Sequence, residues 1–150
     1  MRLQGHKLIE ADPKLCYQLL TDPAVLVRTM PGLKKLEPTG DNNYTAEMEM
    51  GVAAIRGRYQ GTMSIQDPQE GSSYRLVMDG QGPGGFVSVN MQVTFEDNER
   101  GCDIAYDGEA KVGGTVAGVG QRMLSGVATY IMNQFFTAVG KEAKKLQTES

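Results

Sequence analysis

Few side chains in this chain of 150 residues could carry out acid–base, metal or nucleophilic chemistry. His6 is the only histidine, and it falls on the outward side of the first predicted strand, without the oriented acid and the pocket that a general base needs. Cys16 and Cys102, with one distant histidine, match no zinc-ligand spacing. The sequence contains no G-x-S-x-G nucleophile elbow and no Walker A motif. We therefore expect no catalytic residues and no metal site.

The acidic residues and the cysteines have ordinary structural interpretations. Six carboxylates fall on outward strand positions, which indicates solubility and cross-strand pairing: Glu47, Glu49, Asp79, Asp103, Asp107 and Glu109. Cys16 lies on a predicted helix and Cys102 on an inward strand position. Without a secretory signal, both are predicted to be buried free thiols in a cytoplasmic protein.

The glycine-rich string 80–85 is a weak candidate for a phosphate-binding loop. It joins two predicted antiparallel strands, whereas a dinucleotide fingerprint follows a parallel strand and opens a helix. We expect a flexible rim beside the long helix, with Phe86 either over the mouth of an apolar pocket or as a simple loop hydrophobe. Tyr59 and Tyr106 fall on inward rows, where each hydroxyl either orients a ligand carbonyl or bonds the backbone.

These residues belong to a predicted order of one strand, two short helices, a strand meander and one long helix. The first strand covers 2–10, and Asp-Pro pairs at 12–13 and 22–23 are typical of helix starts. A hairpin turn is predicted at 40–43. Apolar residues alternate with polar ones along the strands, which predicts an antiparallel sheet with one wet face. This order of elements is typical of the α+β class.

The last element, predicted as one helix over 115–146, is the only large one that can cover the sheet. Its apolar face consists of two rows. They are Val119, Met123, Val127, Ile131, Phe135 and Val139, and beside them Val116, Leu124, Ala128, Met132 and Phe136. Gly118, Gly120 and Gly126 interrupt its first half, which indicates either close backbone approach or room left for something else.

Composition sets further bounds. The length and the 40% hydrophobic and 22% charged content fit one globular domain over residues 1–150. The net charge of -3 argues against nucleic-acid binding. No apolar run reaches the ~20 residues that span a bilayer. Nine methionines and no tryptophan indicate either a loose core or an adaptable apolar pocket.

Several motifs occur together in an order that resembles a known family. They are Asp22-Pro23 through Pro31-Gly32 with Leu26 and Arg28 between them, Gly51-Val52, Arg56-Gly57-Arg58-Tyr59-Gln60-Gly61, Gly82 to Val87, Tyr106, Val112-Gly113-Gly114, Val116-Ala117 and Gly120-Gln121-Arg122. Over roughly residues 1–145, this arrangement is similar to the CoxG family of carbon monoxide dehydrogenase subunits. That family lies within the helix-grip, START-like (SRPBCC) superfamily.

The resemblance implies a single START-like domain with a curved seven-stranded antiparallel sheet. The sheet grips the long C-terminal helix around an apolar cavity, and two short helices follow the first strand. The resemblance also implies a non-catalytic accessory or adaptor protein that handles a quinone or other lipophilic ligand. Such a protein assists a molybdenum-type carbon monoxide dehydrogenase or related hydroxylase, in the cytoplasm and peripherally on the inner face of the membrane. No covalently bound cofactor is expected.

The inward rows and the helix predict which residues would form the cavity. They are Met48, Met50, Tyr59, Met63, Leu76, Met78, Phe86, Val89, Met91, Ile104, Tyr106, Met123, Val127, Ile131, Met132 and Phe135. Two alternatives stay open. One is a helix-grip enzyme, of the cyclase or hydrolase kind, acting on a small hydrophobic substrate. The other is a protein-docking platform in which Arg56, Arg58 and Arg122 contact an acidic partner.

Overall fold

A computed structural model describes residues 1–51 and 56–149. The chain is α+β, as predicted. Its elements are β1 (Arg2–Ile9), α1 (Pro13–Thr21), α2 (Pro23–Thr29), β2 (Leu33–Gly40), β3 (Asn43–Met50), β4 (Gly57–Gln69), β5 (Ser73–Gly82), β6 (Gly85–Asn98), β7 (Gly101–Gly113), a 3-10 segment (Thr115–Val119) and α3 (Gln121–Glu149). Among the described helices, none is both long and apolar enough to cross a membrane.

One seven-stranded antiparallel sheet carries the fold, in the order β1-β7-β6-β5-β4-β3-β2. Consecutive strands from β2 to β7 are neighbours, so this part is a meander of hairpins. β1 pairs with β7 at one edge, and α1 and α2 carry the chain from there to β2 at the other edge. The seven-stranded sheet that the resemblance implied is confirmed.

The two short helices begin where their caps predict. The Asp12 carboxylate accepts a hydrogen bond from the Leu15 amide at 2.7 Å, and the Asp22 carboxylate accepts one from the Ala24 amide at 2.9 Å. A proline follows each cap, where its missing N–H has no helical partner to lose. α2 is tied to α3 because the Arg28 guanidinium donates to both carboxylate oxygens of Glu142, at 3.0 and 3.2 Å.

The tightly packed core lies where α1, α2 and the later part of α3 meet the sheet. An aromatic cluster sits within it, with the Tyr17 ring centroid 5.8 Å from that of Tyr74 and 5.3 Å from that of Phe95. The α3 side chains that are buried here are Phe135, Phe136, Val139 and Ala143. The helix is therefore fixed to the sheet through its C-terminal half.

The predicted helix over 115–146 is wrong at its beginning. Residues Thr115–Val119 form the 3-10 segment, and Gly120, at φ +93°, separates it from α3. A positive φ is incompatible with a continuing right-handed helix, and glycine adopts it without steric cost. A β-carbon built on Gly118, Gly120 or Gly126 meets no described atom within 4 Å. These glycines therefore border open space, and close backbone approach does not explain them.

The glycine-rich string 80–85 is more regular than predicted. β5 runs to Gly82 and β6 begins at Gly85, so only residues 83–84 form the turn, which is a tight hairpin rather than a flexible rim. β4 continues to Gln69, with a register shift after Gln66. Val52, part of the Gly51-Val52 motif, lies outside the described residues.

Candidate functional site

A cavity of about 300 Å³ lies between the inner face of the sheet and the N-terminal half of α3. It is partly enclosed, and its wall also includes residues of α1, α2 and the 3-10 segment. The helix contributes Leu124, Val127, Ala128, Ile131, Met132, Phe135 and Phe136. The cavity thus lies over the part of the sheet that the tightly packed C-terminal half of α3 does not cover.

The strand register positions the wall on the sheet side. Met63 of β4 lies opposite Met78 of β5, which lies opposite Val89 of β6, which lies opposite Ala110 of β7. Directly paired residues of an antiparallel sheet point to the same face. These four side chains therefore form one row across the sheet, and all four line the cavity.

The structure brings most of the predicted cavity residues together on this wall. Those that line it are Met48, Met50, Tyr59, Met63, Leu76, Met78, Val89, Met91, Tyr106, Val127, Ile131, Met132 and Phe135. Phe86, Ile104 and Met123 do not. That these wall residues bind a ligand stays a prediction.

Each of the three exceptions has a physical reason. Phe86 pairs with Gly113 at the start of β6, where its ring occupies the space a β-carbon on Gly113 would need, and it is 47% exposed. Ile104 is 0% exposed within the packed core. Met123 is 52% exposed because a row of residues four apart drifts around a 3.6-residue helix by about 40° per step.

Some wall residues come from elements that the sequence did not connect to the cavity. Leu20, Leu26 and Met30, on and just after the two short helices, line it together with Leu3 of β1 and Val116 of the 3-10 segment. The apolar side of each short helix was visible in the sequence. Its contact with the cavity depends on how α1 and α2 cross to the far edge of the sheet.

Tyr59 places a hydroxyl on this apolar wall. The residue is 8% exposed, and its hydroxyl has no hydrogen-bond partner among the described residues. The ring lies against Gly82, since a β-carbon there would be 2.6 Å from the Tyr59 Cδ2 atom. The hydroxyl oxygen lies beside Gly84, 3.1 Å from the position of a β-carbon on that residue. Both glycines leave the room that the ring occupies.

Tyr106 is the second inward tyrosine, and its ring is held from two sides. It stacks on Phe136 with ring centroids 6.0 Å apart, and its hydroxyl end reaches Gly5 on β1. Burial raises the pKa of Tyr106 above its ordinary value, so the hydroxyl stays protonated at neutral pH. The inward placement predicted for both tyrosines is confirmed.

Several polar side chains that were predicted to face outward form pairs on the outer face of the sheet. His6 Nδ1 is 3.2 Å from an Asp103 carboxylate oxygen, and both groups are exposed. Arg2 donates to Asp107 at 2.8 Å across the β1–β7 pair. The Ser88 hydroxyl donates to Asp79 at 2.6 Å across the β5–β6 pair. These contacts pair neighbouring strands.

The three arginines predicted to dock a partner are all exposed. Arg58 lies on β4 opposite Glu49 of β3, Arg122 lies in the first turn of α3, and Arg56 immediately precedes β4. Their contact with an acidic partner stays a prediction.

A seven-stranded antiparallel sheet that closes on a C-terminal helix around an apolar cavity defines a helix-grip protein of the START-like class. The chain belongs to the CoxG family of carbon monoxide dehydrogenase subunits, whose model matches residues 5–144.

Solved structures share this fold along nearly the whole chain. A conserved protein from Geobacillus kaustophilus is 32% identical, with a TM-score of 0.93 over 97% of this chain and 96% of that one. A START superfamily protein from Mycobacterium smegmatis is 12% identical, with a TM-score of 0.78 over 97% and 98%. The Zhui aromatase/cyclase from Streptomyces sp. R1128 is 15% identical, with a TM-score of 0.68 over 97% and 94%. The comparison with curated proteins found no significant match.

Cys16 and Cys102 are buried free thiols, as predicted. Burial raises the pKa of Cys16 to about 12 and also raises the pKa of Cys102. We expect neither thiol to react with a disulfide reagent at about pH 8 until the protein unfolds, because only the thiolate attacks. Labelling in native buffer and in urea, followed by mass spectrometry, measures this. Rapid labelling of the native protein would contradict it.

The same shifts predict a pH dependence of stability. In the folded protein the pKa of the Cys16 thiol lies above its unfolded value near 9.0. The stability contributed by the neutral thiol is therefore fully present when the pH is below that unfolded pKa. It is lost as the pH rises toward about 12. Urea unfolding of the wild type and of Cys16→Ala at about pH 8 and about pH 10 measures it. We expect the variant to lose less stability than the wild type between those two conditions.

Proposed function

We propose that this protein binds a lipophilic molecule, a quinone or a lipid, in the cavity between the sheet and α3, and that it acts as a non-catalytic accessory protein. The observation that carries this proposal is the cavity itself, about 300 Å³ in volume and walled by side chains that are nearly all apolar. An apolar space of this size takes up hydrophobic molecules more readily than water.

The energetics support a filled cavity. At ~24 cal/mol per Å³, an empty space of this volume costs about 7 kcal/mol, which is comparable to the ~5–15 kcal/mol that stabilises a whole domain. A ligand that buries ~400 Å² of apolar surface gains about 10 kcal/mol gross at ~25 cal/mol per Å². Loss of translational and conformational freedom offsets much of that gain. Occupancy therefore favours long ligands with little polar surface.

The composition of the wall supports a tolerant binding site. Methionine side chains are flexible and polarizable, so they adapt to ligands of irregular shape. The methionines on the wall are Met1, Met30, Met48, Met50, Met63, Met78, Met91 and Met132. The high methionine content of the chain, for which the sequence offered two interpretations, thus supports the adaptable pocket.

The polar groups of the cavity support binding rather than catalysis. No described histidine, lysine or arginine lines it, and Asp79, its one acidic residue, has an exposed carboxylate on the outer face that accepts from Ser88. The other titratable side chains of the described wall are tyrosines. General acid–base catalysis most often uses a histidine or a carboxylate within hydrogen-bond reach of the substrate. The helix-grip enzyme is therefore the second candidate, and turnover of a hydrophobic substrate by the purified protein would favour it.

Membership of the CoxG family supports the partner assignment. We propose that the protein assists a molybdenum-type carbon monoxide dehydrogenase or a related hydroxylase in the cytoplasm, with peripheral contact at the inner face of the membrane. The exposed Arg56, Arg58 and Arg122 would contact an acidic surface of that enzyme. Electrostatic complementarity of this kind mainly accelerates and orients association.

Filling the cavity tests the binding site. Ala128 of α3 lines the cavity, and the neighbouring Thr129 is exposed on the same helix. We expect Ala128→Phe to weaken binding of a neutral fluorescent apolar probe at least about tenfold, because the new ring takes the ligand's space. Thr129→Phe, which adds the same ring outside, should leave binding within about twofold. Equal affinities in both variants would place the probe elsewhere.

Charge reversal tests the docking surface. Replacing Arg56, Arg58 and Arg122 together by glutamate should reduce co-purification with the dehydrogenase complex at low salt, because like charges then face each other. Binding of the apolar probe should not change, since none of the three lines the cavity. Undiminished co-purification of the triple variant would remove these residues from the interface.

A further inference from the structure

We infer that the Tyr59 hydroxyl donates a hydrogen bond to a single carbonyl oxygen at one end of a neutral apolar ligand, and so selects such ligands over hydrocarbons and over carboxylates. This inference rests on the proposed ligand-binding function and names the ligand class.

The first observation is the state of the hydroxyl. Tyr59 is more than nine-tenths buried, it lines the cavity, and its hydroxyl has no partner among the described residues. Buried polar side-chain atoms are nearly always hydrogen-bonded, because leaving one unpaired is costly. A binding site accounts for this exception, since the bond is then completed by the ligand.

The second observation concerns a neighbouring backbone carbonyl. The hydroxyl lies beside Gly84, whose carbonyl oxygen already accepts from the Val116 amide at 2.8 Å and from the Thr115 hydroxyl at 2.9 Å. A carbonyl oxygen has two lone pairs, so this one is fully used. Because the 3-10 segment occupies the Gly84 carbonyl, the proton of the Tyr59 hydroxyl remains available to another acceptor.

The third observation is the charge of the wall. No lysine, arginine or histidine is among the described residues that line the cavity. A carboxylate bound there would lose its hydration without gaining a cation, which is strongly unfavourable. A ketone-type carbonyl requires only one donor. The wall therefore discriminates against fatty acids and in favour of neutral ligands with one oxygen acceptor.

The position of Tyr59 orients the ligand. Tyr59 and Met63 are four residues apart on β4, which is about 13 Å along the strand. Met63 begins the row that continues through Met78 and Val89. A carbonyl held at Tyr59 would thus extend its apolar chain toward that row, within the cavity that Ile131 of α3 also lines.

Three ligands of equal chain length test this inference: a long-chain methyl ketone, the corresponding alkane and the corresponding fatty acid. Each displaces a neutral fluorescent probe from the wild type, from Tyr59→Phe and from Tyr106→Phe, which removes a hydroxyl elsewhere on the same wall. We expect the wild type to bind the ketone about tenfold more tightly than the alkane or the fatty acid. Tyr59→Phe should lose this preference by weakening ketone binding about tenfold, with alkane binding unchanged. Tyr106→Phe should keep it.

A second measurement needs no variant. The carbonyl stretching frequency of the bound ketone should be lower than in an alkane solvent, because a hydrogen bond weakens the C=O bond. An unshifted band overturns the inference. So does a preference that survives in Tyr59→Phe, that is lost in Tyr106→Phe, or that favours the fatty acid. If none of the three ligands displaces the fluorescent probe from the wild type, the proposed function itself fails.

Discussion

The dominant constraint in this structure is that one helix must cover the inner face of a seven-stranded sheet. α1 and α2 fill the space at one end and fix the later part of α3, where Val139 and Ala143 are buried. Toward its beginning, α3 faces the sheet with side chains such as Val127 and Ile131, which are only partly buried. The cavity follows from this unequal packing, because the short helices support one end of the helix and no comparable element among the described residues fills the other end.

The same arrangement explains the surroundings of the Tyr59 hydroxyl. The β5–β6 turn and the 3-10 segment meet at Gly84, and Tyr59 reaches the same point from β4. The rest of the wall consists mainly of aliphatic, methionine and aromatic side chains, including those of Tyr74 and Tyr106. The unpartnered Tyr59 hydroxyl among so many apolar atoms gives the site a direction, and the apolar length of the cavity accommodates ligands of differing shape.

Much of the fold and of the wall could be predicted because the signals are local. The inward rows through Met63, Met78 and Val89 follow from the two-residue period of a strand. The starts of α1 and α2 follow from Asp12 and Asp22, whose side chains accept the first amide hydrogen bonds.

The errors arise where tertiary context decides. Gly120 ends the 3-10 segment through a backbone conformation that composition does not reveal. Phe86 packs on Gly113, a neighbour known only once the strands are paired. The unpartnered Tyr59 hydroxyl depends on Thr115 and Val116 occupying the Gly84 carbonyl, which no local pattern encodes.

Diffraction from crystals held under xenon pressure tests the central claim most directly, because xenon occupies accessible apolar cavities in proteins without forming hydrogen bonds. If α3 leaves apolar space above the sheet, xenon should appear between α3 and the row formed by Met63, Met78 and Val89. Side chains of α3 packed directly onto that row, with no xenon between them, would contradict the account.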